Sequence, residues 1–198
     1  MANSYTSFST AEYLSPHDVE LMRKVHATVK EVAEMVREWH ETIPEEDEEL
    51  DVSVKSLRQQ VAAKGELHAL IHDLWYLQPN YPDPLGSIPT LYVDHMTAEE
   101  GRRQVTLYDL GEGDPDVLEL ILTAFMAKAQ DVDCWCVTGS FTCSKPRPDE
   151  FGDEFGGFAF IVAKNKKKEG PQVIVRWLGV EQWFSEQKWK LLPLKEGV

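Results

Sequence analysis

The chain reads as an α+β fold in which an N-terminal helical hairpin packs on a mostly antiparallel sheet with one buried central helix. Three observations predict this. Apolar residues recur with a mean spacing near 3.5 over residues 19–43, the period of a helix packed against other helices. After the proline-rich stretch 78–90 the period falls to two, the signature of strands. One segment, "GDPDVLELILTAFMAKAQ", breaks that alternation and is apolar around most of its surface, as a buried helix must be.

Residues 1–14, "MANSYTSFSTAEYL", are polar and are expected to be a flexible N-terminus. Residues 15–77 form the expected helical hairpin. Ser15 is placed to cap, Pro16 to occupy the first helical position, and Asp18 and Glu20 to meet the positive end of the helix dipole. Val19, Met22, Val25, Val29, Val32, Val36, Trp39 and Ile43 make the apolar seam, and Pro44 ends it. The acidic run "EEDEELD" is too charged for a core. The second arm resumes at Val54, Leu57 and Val61 and continues through Leu67, Leu70, Ile71, Leu74 and Trp75, where Gly65 either breaks the segment or only weakens it by roughly 1 kcal/mol relative to alanine.

Residues 78–90 hold four prolines and read as a connection, leaving 91–198 as an α+β sheet domain. Five segments there have strand composition: "TLYVDHM", "RQVTLYDL", "DCWCVTGSFTCS", "GFAFIVAK" and "PQVIVRWLGV". Asp114 and Pro115 mark the start of the intervening helix. In "EQWFSEQKW", Trp183 lies among polar positions as a candidate interface anchor.

The net charge is −14, and both halves of the chain are acidic. Such a surface disfavours direct contact with nucleic acid or anionic lipid, because counterions would have to be gathered rather than released. It suits a protein partner with a basic surface. An absent signal-type leader, an absent apolar run of spanning length and an odd number of cysteines, three, predict a cytoplasmic protein with reduced thiols. No phosphate loop, dinucleotide fingerprint or nucleophile elbow occurs, and no cofactor is expected.

Three groups of residues are candidates for chemistry or contact. The doubled unit "DEFGDEFG" brings Asp149, Glu150, Phe151, Asp153, Glu154 and Phe155 into one acid-aromatic loop between strands, and with Trp183 these are the expected partner-binding residues. Their order does not supply the ligand positions of a calcium loop. His68 and His72 are four apart on a helix, followed by Asp73, the spacing that puts two imidazoles on one face for a transition metal. Cys134 and Cys136 share a strand face, while Cys143 takes the other; all three are expected to fill the core.

Together these features predict a non-enzymatic acidic binding module, of the inhibitor or immunity type, that covers a basic, nucleic-acid-binding surface of its target. One alternative is a metal-dependent hydrolase using the histidine pair. Another is a homodimeric assembly protein joined through the seam of residues 19–43.

Overall fold

A computed structural model describes residues 3–42, 50–76, 88–97, 101–111, 113–144, 154–165 and 173–178. It confirms the α+β class, with four helices and a six-stranded sheet among the described residues. The elements run β1 (Asn3–Leu14), α1 (Pro16–Thr42), α2 (Leu50–Ala63), α3 (Glu66–Tyr76), β2 (Thr90–Thr97), β3 (Arg103–Gly111), α4 (Pro115–Met126), β4 (Cys134–Ser144), β5 (Glu154–Lys164) and β6 (Val173–Leu178). The strand order is β2-β3-β1-β4-β5-β6, and every neighbouring pair is antiparallel.

The order follows from the connections. Strands β3 and β4 are joined through α4, so they run parallel to each other with one strand's width between them. Strand β1 fills that slot and pairs antiparallel with both. Thus Asn3–Leu14 is the centre of the sheet, which corrects the expectation of a flexible start. Its side chains alternate, with Phe8, Thr10 and Leu14 buried and Ser9, Ala11 and Tyr13 exposed. Thr10 is tolerated in the core because its hydroxyl is doubly used. It accepts from the Trp135 indole N–H at 2.7 Å and donates to the Cys136 carbonyl at 2.9 Å.

Helix α1 begins as its residues dictate. The Ser15 hydroxyl accepts from the Asp18 N–H and the Ser15 carbonyl from the Val19 N–H. Val19, Met22, Val25, Val29, Val32 and Val36 of the seam are buried within the chain itself, so its own elements already cover this apolar face. Asp18 is 0% exposed. Its two carboxylate oxygens accept from the Gln130 and Asp131 backbone N–H groups at 3.0 and 2.9 Å. This fastens the first turn of α1 to the turn that follows α4.

The second arm of the hairpin is divided into α2 and α3. Gly65 has φ of 140°, a conformation that side chains rarely adopt. Its N–H closes the end of α2 on the Ala62 carbonyl, and its own carbonyl receives Ala69 N–H to open α3. One buried cluster then unites Phe8, Val25, Ile71, Val105, Ile121, Trp135 and Phe160 from helices and strands. The helical segment and the sheet therefore share a core. Of the expected connection 78–90, Ile88 and Pro89 are described, Thr90 already belongs to β2, and the rest lies outside the described residues.

The two faces of the sheet differ. Phe8, Val105, Leu107, Trp135, Val137, Phe160 and Val162 point to the helices. The opposite face carries Tyr13, Tyr92, Leu110 and Ile174, all exposed, with Cys134 and Cys136 on β4. Both cysteines are therefore surface residues, not core as expected. Trp135 and Val137 fix the rotation of β4, and the larger side chains take the interior.

Candidate functional site

The inner face of the sheet ends in a row of aromatic side chains. Phe8 on β1 meets Phe158 on β5 edge-to-face at 6.3 Å between centroids, and Phe158 stacks along Phe160 at 6.3 Å. Trp177 on β6 closes the row, 4.7 Å from Phe160 and 6.0 Å from Phe158. The intervening strand contributes no side chain, because the facing residue of β4 is Gly139, paired with both Phe8 and Phe158. A Cβ there would lie 2.2 Å from Phe158 Cζ. Glycine in mid-strand thus gives the Phe158 ring its place.

Carboxylates gather beside this row. Gly113 sits so closely against Phe8 and the Asp109 side chain that a Cβ would fall 2.5 and 2.6 Å from them. Asp114 caps α4, accepting the Asp116 N–H at 2.8 Å. Asp116 follows in the first turn, and Glu119, one turn further, accepts from the Trp177 indole N–H. Burial, and then the charge of Asp114, push the Asp116 carboxyl above its usual range. An incoming cation would relieve that repulsion.

Trp177 is 41% exposed although it lies on the inner face, on β6, the outermost strand among the described residues. The arrangement offers an aromatic surface reaching solvent with carboxylates at its border. Aromatic faces attract guanidinium and ammonium groups, tryptophan most strongly, and carboxylates add a direct ion pair. This geometry suits a basic side chain of a partner.

The row lies near the middle of the β4–β5 ladder, which runs from Cys134↔Ala163 through Gly139↔Phe158 to Cys143↔Glu154. The backbones of Glu154 and Phe155 are in β5. Asp149, Glu150, Phe151, Asp153 and Trp183 lie outside the described residues, as do the side chains of Glu154 and Phe155. Sequence reasoning did not single out Phe8, Asp109, Asp116, Glu119, Phe158 or Trp177 as a group. The available signal was Gly139 within a strand-like run, since such a glycine accommodates a close neighbour.

The histidine pair is set apart from this row, on α3. His68 Nε2 lies 3.0 Å from Glu31 Oε2 on α1, and this bond holds the Glu31 carboxyl below its usual range. His72 is 2% exposed, with Nδ1 3.7 Å from Asp73 Oδ1. Asp73 turns its other oxygen to Arg58 at 2.9 Å. Among the described residues no three His, Cys, Asp or Glu side chains converge as a metal site. Asp73 and Arg58 instead border an open groove of about 430 Å³ between α2 and α3, whose other walls are Lys55, Gln59, Ala62 and Ala69.

The two buried histidines make stability sensitive to pH. Burial lowers the pKa of His26, opposed by its contact with the Pro89 carbonyl at 2.7 Å and aided by Lys30. Burial likewise lowers that of His72, opposed by Asp73 and aided by Arg58. A folded pKa below the unfolded value near 6.5 means that the unfolded chain binds more protons in this window. Their contribution is present above pH 6.5 and is lost as pH falls below it. Urea midpoints should therefore decline between pH 7.5 and 5.5, and His26→Gln should flatten the decline. A midpoint constant across that range would contradict the assignment.

No family model, curated protein sequence or solved structure matches the chain.

Proposed function

We propose that this is a non-enzymatic binding protein for a basic surface on another protein, acting as an inhibitor or immunity-type cap. The observation that supports it is the aromatic row of Phe158, buried Phe160 and Trp177, which reaches solvent through Trp177, with Asp109, Asp114, Asp116 and Glu119 at its border. The net charge of −14 would draw a basic partner toward the chain over distances set by the ionic strength. At contact, the exposed face of Trp177 and the desolvated carboxyl of Asp116 are the groups best suited to a guanidinium.

An arginine-rich peptide titrated calorimetrically into the protein tests this reading. Combining Trp177→Ala with Asp114→Asn and Asp116→Asn should weaken binding by about tenfold or more and make it less sensitive to salt. Asparagine at position 114 retains the helix cap, so the comparison is between folded proteins. Equal affinity for the native and triple-variant chains would remove the row from the contact surface.

A further inference from the structure

Two thiols have a common outlook on the sheet face opposite the aromatic row, and their use does not depend on the binding role above. Cys134 and Cys136 are both exposed on β4. Their orientation is fixed from the interior by Trp135 and Val137, each 1% exposed. The Trp135 indole and the Cys136 carbonyl are both tied to the Thr10 hydroxyl. The two sulfurs therefore cannot turn inward without expelling Trp135 from the core. Across the sheet Cys134 stands opposite Ala163 and Cys136 opposite Ile161, so this neighbouring strand brings no competing charge.

Residues two apart on a strand have Cα atoms about 6.8 Å apart. That is the upper limit for a disulfide, whose Cβ atoms must also approach to about 4 Å. The strand thus holds the cysteines as a pair of thiols presented side by side. We propose that Cys134 and Cys136 form a two-sulfur site for a soft, thiophilic cation, copper(I) above all. Soft sulfur donors select such ions, and copper(I) is satisfied by two of them. Zinc takes four ligands in structural sites and three with water in catalytic ones, and among the described residues no third His, Cys, Asp or Glu joins the pair.

On binding, two S–H bonds break, two protons pass to solvent and two S–Cu bonds form, with copper remaining in the +1 state.

The test is an anaerobic titration of the reduced native protein with copper(I) against the competing chelator bicinchoninate. A single equivalent of copper should be withdrawn from the chelator. Cys134→Ser and Cys136→Ser should each weaken binding by about a hundredfold, the scale of losing a linked second donor, while Cys143→Ser should leave it unchanged. Phenylarsine oxide provides a geometric check, since its arsenic bridges two thiols with release of one water and no change of oxidation state. It should add to the native chain and to Cys143→Ser but to neither of the other variants. Retention of copper by either single variant, or its loss in Cys143→Ser, would overturn the assignment.

Discussion

Replacing Asp18 by alanine is expected to lower the free energy of unfolding by about 3 kcal/mol. The carboxylate is fully buried and accepts from two backbone N–H groups, those of Gln130 and Asp131. Hydrogen bonds to a charged group contribute more than neutral ones, and removal strands both donors at once. Gln130 and Asp131 are themselves exposed, so water can recover part of the loss and keeps the figure from rising further. The charge also sits in the first turn of α1, where it complements the helix dipole. Asp18→Asn keeps one acceptor oxygen and should lose about half as much. Urea denaturation of the three proteins measures this, and a loss below about 0.5 kcal/mol for the alanine variant would show that the turn holds without Asp18.

Gly139→Ala is expected to destabilise by about 2–3 kcal/mol, for a steric reason alone. In an ordinary strand position the same change would be favourable by about 0.5–1 kcal/mol, because alanine loses less conformational freedom than glycine. Here the new methyl would lie 2.2 Å from Phe158 Cζ. The ring must leave its place between Phe8 and Phe160, and both aromatic contacts are lost with it. The sign of the effect therefore decides whether Phe158 occupies the glycine notch. In a double-mutant cycle with Phe158→Leu, the smaller side chain should recover about 1–2 kcal/mol of the Gly139→Ala loss. Strict additivity would mean that the two residues do not meet.

Much of the fold was legible where residue chemistry is local. Ser15 and Pro16 opened α1, Asp114 and Pro115 opened α4, and Gly65 divided the second helical arm. The central strand was not legible, because "NSYTSFSTAEYL" carries only Phe8 and Leu14 as large apolar inward residues. Its order comes from pairing on both sides and from the bond between Thr10 and Trp135, which are contacts 89 or more residues away in sequence. Cys134 and Cys136 were assigned to the core for a related reason. Cys-Trp-Cys-Val satisfies alternation in either register, and only the size of Trp135 against the helices decides which pair is buried.

The expected acid-aromatic loop and Trp183 lie outside the described residues, apart from the backbones of Glu154 and Phe155. The row and its carboxylates were not legible, because Asp109, Asp114, Asp116, Glu119, Phe158 and Trp177 come from four separate elements and a turn. The histidine pair shows the converse. His68 and His72 have the spacing of a metal site, yet one is engaged by Glu31 and the other lies buried with a lowered pKa. Spacing fixes a helix face but not what packs against it.

For a basic partner received on the aromatic row, the Trp177 indole N–H is the nearest reporter. Nitrogen-15 spectra of the labelled protein would be recorded during titration with the arginine-rich peptide, with the Trp177 signal assigned from Trp177→Phe. Contact on the row should shift this signal progressively to saturation, together with backbone signals of Asp116 and Phe158. A Trp177 signal that stays fixed while the peptide binds, with shifts confined to the α2–α3 groove or the opposite sheet face, would contradict it.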